Sequence, residues 1–289
     1  MKLLTEQKIY FTLRIASAIC FIGHGAFGII TKPVWVNYFG VFDISNDHAW
    51  QLMPWVGTVD ILLGLALLFY PVRAVFVWLV IWGTITALLR PLSGEPFAEF
   101  IERAGNFGAP LAFLIFSGVK VNSLSKLFAP VNSNIKLDQK TLNRLIVCLR
   151  IVAFLLILGH GWLNLIEKET FVNIYRFFGF VNPASAAQAI GLLEILAAFA
   201  ILIRPFRSMV LVVFFWKVAS ELFYPHYGFF EWIERGGSYG SLLALWFSLD
   251  LVPESKRTNA YSILNLFLLK GSRASVRKSL SNHKRDYAK

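Results

Sequence analysis

Cysteine is nearly absent, with Cys20 and Cys148 alone in 289 residues. There is no CxxC pair and no CxxCH, which excludes a thioredoxin-like dithiol and covalent haem attachment. Both thiols lie inside apolar stretches and are expected to be buried structural residues. Charge is scarce too. Only 16% of residues are charged and the mean hydropathy is +0.59, whereas a soluble domain carries about a quarter charged residues. Acid is scarcer than base, 17 against 28, for a formal net charge of +11. The bases fall between and after apolar segments rather than on one soluble face. That pattern fits the positive-inside rule and anionic lipid headgroups, and argues against a nucleic-acid partner. No P-loop, dinucleotide fingerprint or HExxH is present, and no metal site is expected. A soluble catalytic domain has no room, so any chemistry belongs in the membrane or at its outer face.

What is present is a repeat. LRIASAICFIGHGAFGIITK, from Leu13 to Lys32, is matched by LRIVAFLLILGHGWLNLIEK, from Leu149 to Lys168. Arg14 and Arg150, His24 and His160, and Lys32 and Lys168 are each 136 residues apart. Three polar landmarks held in register across apolar sequence indicate a duplication. Further on, Pro71 and Pro205, like Arg73 and Arg207, are 134 apart, so the register persists with a small deletion. Residues 9–31 match an internal segment and therefore read as a retained helix rather than a cleaved signal.

The apolar segments predict an all-α integral membrane protein of eight transmembrane helices, arranged as two parallel four-helix repeats. The segments are about 9–31, 51–70, 72–90 and 101–120, then about 145–166, 184–203, 207–225 and 235–252. Residues 1–120 form the first repeat, 121–144 a basic linker, 145–252 the second repeat and 253–289 a basic tail. Lys and Arg crowd the ends that place both termini and the linker in the cytoplasm, in a plasma or inner membrane. Four helices per half insert both halves the same way up, with a pseudo-two-fold along the membrane normal. Leu124 to Phe128 and Ile263 to Leu269 are apolar patches expected to lie flat on the inner surface, and anionic headgroups are the expected partners of linker and tail.

The candidate site is read from polar residues shared by both halves. From Tyr10 to His24 is roughly 21 Å of helix, which places His24, and His160 with it, in the outer third of the bilayer. Asp60 in the second helix matches Glu194 and lies at a similar depth, so each His is expected to meet the acid of its half. Such a pair fixes the imidazole tautomer and can shuttle protons, while the plainer reading is a structural clasp. Glu99-Phe-Ile-Glu102-Arg103 matches Glu231-Trp-Ile-Glu234-Arg235 at the entry to the fourth helix. Glu at i and Arg at i+4 favour a helix-face pair, and Arg103 and Arg235 are alternatively placed to hold an anionic headgroup at an outward-facing site. Lys217 and Glu221 stand where the first half has Gly83 and Ala87. Either they neutralise each other or they make the second half the working one, with His226 joining them. Trp35, Trp50, Trp55, Trp232 and Tyr239 are expected mostly in interfacial belts, with stacking on a planar ligand the minority reading.

The glycine-bearing first helix, the short Pro/Arg turn and the acid-Arg-x-Gly-Asn-aromatic-Gly entry to the fourth helix resemble the DoxX-like membrane family, with this chain as two fused units. The match covers roughly residues 9–120 and 145–252, and Ser238 replaces the Asn in the second copy. The resemblance implies a bacterial inner-membrane protein, with some relatives associated with quinone-linked oxidation of sulfur compounds. It does not account for the Gly-His-Gly triplet. Three functions share these residues. The leading one is a quinone- or redox-associated subunit, with quinone or haem as the cofactor open to test and a redox protein as its partner. His160 and Glu194 would be its acid–base pair, His24 and Asp60 would repeat them, and Arg235 and Glu234 would organise the mouth. The others are a small-solute or ion-coupled transporter and a non-catalytic assembly protein.

Overall fold

A computed structural model describes residues 3–118, 124–222 and 228–252. The tail 253–289, with its Ile263 to Leu269 patch, the linker residues 121–123, and His226 lie outside the described residues. All regular elements among those described are helical. They are α1 (Thr5–Ile29), α2 (Trp35–Gly40), α3 (Asn46–Phe69), α4 (Arg73–Leu92), α5 (Ala98–Glu102), α6 (Ala104–Phe116) and α7 (Ser125–Phe128). Then follow α8 (Gln139–Leu165), α9 (Glu169–Phe177), α10 (Pro183–Ile203), α11 (Arg207–Glu221), α12 (Phe229–Glu234) and α13 (Gly236–Asp250).

Local chemistry explains several boundaries. Asp138 caps α8 by accepting from the Thr141 N–H, and Asn182 caps α10 with Pro183 at the first helical position. Five helices, α1, α3, α4, α8 and α10, are long and apolar enough to cross a membrane. Leu62, Ile81 and Leu196 stand exposed on the flanks of α3, α4 and α10, as a lipid-facing surface requires. By length and composition this is a multi-pass membrane protein. The segment expected to be one helix over 101–120 is instead two, α5 and α6, broken at Arg103, and the second copy breaks likewise at Arg235 between α12 and α13. Two short helices, α2 and α9, follow the two long first helices α1 and α8.

The polar landmarks of the repeat turn out to be assembly devices. Arg14 donates from Nε to the Leu67 carbonyl at 2.7 Å and from Nη2 to that of Leu68, so it covers the carbonyl end of α3. Arg150 donates from Nη2 to the Leu202 carbonyl and, at 2.9 Å, to that of Ile203, so it covers the end of α10. A helix end has carbonyls with no intrahelical partner, and burying them unbonded is costly. Arg150 is 1% exposed. Arg150→Met should therefore destabilise by about 2–3 kcal/mol, more than Arg14→Met at its less buried site. Denaturant unfolding of the two purified variants in detergent checks the order.

Helix one of each half packs against the broken helix of the other half. A Cβ at Gly23 would sit 2.5 Å from the Glu234 backbone N, and one at Gly159 would sit 2.4 Å from that of Glu102. The second glycine of each triplet faces the half's own second long helix, with Gly25 on the Gly57 carbonyl and Gly161 on that of Gly191. The closing lysines also reach across, Lys32 to Glu231 at 3.9 Å and Lys168 to Glu99. At the end opposite these contacts the linker is pinned. Tyr10 donates to the Val131 carbonyl at 2.8 Å, Val131 donates to that of Pro71 at 2.9 Å, and Arg73 donates to the Ser117 and Lys126 carbonyls. Of the predicted amphipathic patch, Leu124 and Phe128 stand exposed around the single turn α7.

Candidate functional site

Both predicted His–carboxylate pairs form. His24 Nδ1 is 2.7 Å from Asp60 Oδ2, and His160 Nδ1 is 2.8 Å from Glu194 Oε1. Their surroundings differ. The His160 ring lies edge-on to Phe171 with centroids 4.8 Å apart. Glu194 also accepts from Trp216 Nε1 at 2.6 Å and from Asn164 Nδ2 at 3.0 Å, and Tyr175 donates to Asn164 Oδ1. The His160 side chain is 4% exposed, against 14% for His24. The second pair is closed in by its neighbours.

The first pair borders a cavity of about 250 Å³. Its apolar wall includes Phe27, Trp35, Tyr38 and Trp82, and its polar groups are His24, Lys32, Arg90, Arg103, Asn106 and Glu234. Trp35 leans on the His24 ring with centroids 4.7 Å apart. The strap that closes the site is α2, which brings Trp35 and Tyr38 inward from the loop after α1. Trp35 and Tyr239 are both buried, so the interfacial belt expected for them does not hold, whereas Trp50 and Trp55 are exposed.

The halves also differ at one pair of positions. In the second half Lys217 bonds Glu102 of the first half at 2.9 Å as well as Glu221. In the first half Gly83 stands there, and Ala87, the counterpart of Glu221, lines the cavity. Lys217 and Glu221 thus belong to a network between the halves rather than to a pocket of their own. The open space lies in the first half, not in the half that carries the extra charges.

That network absorbs the remaining predicted residues. Glu102 accepts from Arg235 at 2.9 Å, from Lys217, and from Arg103 at 3.1 Å. Arg103 also bonds Glu99 at 2.5 Å, the expected i,i+4 pair. Arg235 lies 3.3 Å from Glu221 and 3.7 Å from Glu234. Arg103 and Arg235 are buried and tied to glutamates, so neither faces outward to a headgroup as the sequence suggested. Glu234 has a second role, since it reaches the cavity wall beside His24.

Sequence reasoning missed Arg90, which joins Glu95 at 2.8 Å and Glu99 at 3.2 Å, and Tyr38, which donates to Glu95. Neither recurs in the second copy, so a search for shared residues passed over them. Asn164 and Tyr175, which help close off Glu194, were missed for the same reason, and Trp216 was passed over although Trp82 matches it 134 residues earlier. Among the described residues no cluster of three or more His, Cys, Asp or Glu is placed to hold a metal. Compared with models of protein families, with curated proteins and with solved structures, the chain matches none.

Proposed function

We propose that the chain is a redox-associated membrane subunit of two fused four-helix units, in which the first half binds a small planar ligand of the quinone class and His24–Asp60 exchanges its proton. The observation that carries this reading is the cavity. One His–carboxylate pair opens on a concave space walled by aromatic side chains, while its duplicate is closed in by its neighbours. A ligand site is typically a mostly apolar concavity with a few convergent polar groups. The volume suits a ring headgroup rather than a whole lipid. Asp60 holds the His24 Nδ1, which leaves Nε2 as the nitrogen able to face a ligand, and a carboxylate-backed imidazole suits proton exchange with a carbonyl oxygen. Quinone, when bound, would supply the two-electron chemistry. The chain's own residues would orient the ring, exclude water and hold the proton at His24. The sequence resemblance to DoxX-like proteins supports the same class.

In this reading α5 with α6, α11, and α12 with α13 are the other three spans, the two halves insert in parallel, and the basic linker end is cytoplasmic. The sealed pair His160–Glu194 is then a clasp that fixes α8 to α10. A second reading, a carrier for a small organic anion, is favoured by the three cations Lys32, Arg90 and Arg103 in the cavity wall. Organic extraction and an absorbance spectrum of the purified full chain test the proposal. Quinone should copurify with the native protein and be lost from His24→Ala and Asp60→Asn proteins that still elute as folded. Uptake of an organic anion into proteoliposomes, with no quinone in the extract, would favour the carrier instead.

A further inference from the structure

A second concavity lies far from the histidines, between α6 and α8. Its volume is about 1130 Å³, above the usual range of about 300–1,000 Å³ for drug-sized ligands. The helices touch where Gly108 meets Val152, since a Cβ at Gly108 would lie 2.4 Å from a Val152 methyl. From there the groove runs toward the linker end. Its apolar wall includes Leu111 and Ile115 on one side and Val147 and Ile151 on the other, and its mouth carries Lys140 and Arg144. Leu111 and Ile151 are exposed, as are both cations.

We infer that this groove binds an anionic phospholipid, with acyl chains between α6 and α8 and the headgroup on Lys140 and Arg144. The first argument is length. From Val152 to Lys140 is twelve residues of helix, or roughly 18 Å, and one leaflet of a hydrocarbon core is about 15 Å deep. The groove therefore spans one leaflet and ends in charge where headgroups lie. The second argument is charge. Both cations project from the first two turns of α8, and the nearby acid is already engaged. Asp138 accepts from the Thr141 N–H at 2.6 Å, and hydrogen bonds from Thr141 hold its carboxyl below the usual range, so it remains a cap. Gln139 donates to Asn143 at 2.9 Å beside them, which leaves further amide hydrogen-bonding capacity at the mouth. Charge also argues against the chain's own tail as occupant. Residues 270–289 include Lys270, Arg273, Arg277, Lys278, Lys284, Arg285 and Lys289 against Asp286, and would be repelled by a basic mouth. The corresponding face between α1 and α13 carries a bulkier residue, since Phe247 stands where α6 has Ile115 and meets Lys8 at 5.6 Å.

Native mass spectrometry of the full chain, titrated with phosphatidylglycerol and phosphatidylcholine of identical acyl chains, tests the inference. Each cation near a membrane surface favours an anionic lipid by about fivefold, so with two cations one phosphatidylglycerol should be retained with at least about tenfold preference. Lys140→Gln with Arg144→Gln should abolish the preference, while Arg273→Gln with Arg277→Gln should leave it. Equal retention of both lipids, or loss of the preference only in the tail variant, would overturn the assignment. A photoactivated crosslinker at Leu111, in membranes, reports the occupant directly. An adduct of phospholipid mass is expected, and an adduct to residues 253–289 or to a second copy of the chain would contradict it.

Discussion

Glu102→Ala is expected to remove most of the folded protein from the membrane. Glu102 is 3% exposed and touches three cations, Arg103, Lys217 and Arg235. Two of the three come from the other half. Removing one member of a buried ionic group leaves charges without compensation and costs about 3–5 kcal/mol, a large part of a typical stability. The cost should be shared across the network. Lys217→Ala alone should also destabilise, and the double variant should lose much less than the sum of the singles. Asp250→Ala is the control, because its 2.6 Å pair with Arg207 is exposed and such pairs contribute about 1 kcal/mol or less. Size-exclusion profiles after detergent extraction, with denaturant unfolding of whatever elutes, give the comparison. Equal behaviour of Glu102→Ala and Asp250→Ala would mean that the network does not hold the halves together.

Gly237→Val and Gly105→Val should be as damaging, for a steric reason. These glycines meet at the start of α6 and α13. A Cβ at Gly237 would lie 2.3 Å from the Gly105 carbonyl oxygen, and one at Gly105 would lie 2.4 Å from the Ser238 backbone N. Both obstacles are main chain, so no rotamer change can relieve them, and the two broken helices would have to separate. Small residues at a membrane helix crossing act in this way. Gly40→Ala, with no atom within 4 Å of the added carbon, should leave abundance unchanged. Normal yields for Gly237→Val would show that the crossing tolerates separation.

The duplicated motifs were legible in the sequence because polar residues in apolar helices are costly and stand out. Their register was enough to pair His24 with Asp60 and His160 with Glu194. Their meaning was less legible. Arg14 and Arg150 read as landmarks of the repeat but cover helix ends. The glycines of both triplets, like Gly105 and Gly237, serve close backbone approach, and that depends on which helix lies opposite. A single sequence does not show that α1 packs on the fourth segment of the other half. The cavity was hidden for a different reason. Ala87, where the second half has a glutamate, lines it, so an informative residue was a small one. Attention to the extra charges pointed to the second half, whereas the cavity is lined mostly by first-half residues. The breaks at Arg103 and Arg235 were also invisible, since the charged motif there read as the entry to a single helix.

The central claim is that the first-half cavity holds a ligand while the second His–carboxylate pair only fastens helices. A binding titration of the detergent-solubilised full chain with a short-chain benzoquinone tests it most directly, using Ala87→Leu and Glu194→Gln. Leu at position 87 would project into the cavity, and Gln at 194 keeps the shape of the sealed pair. The account predicts saturable binding by the native protein, at least tenfold weaker binding by Ala87→Leu, and unchanged affinity for folded Glu194→Gln. Undiminished binding by Ala87→Leu, or loss of binding in a folded Glu194→Gln protein, would contradict it.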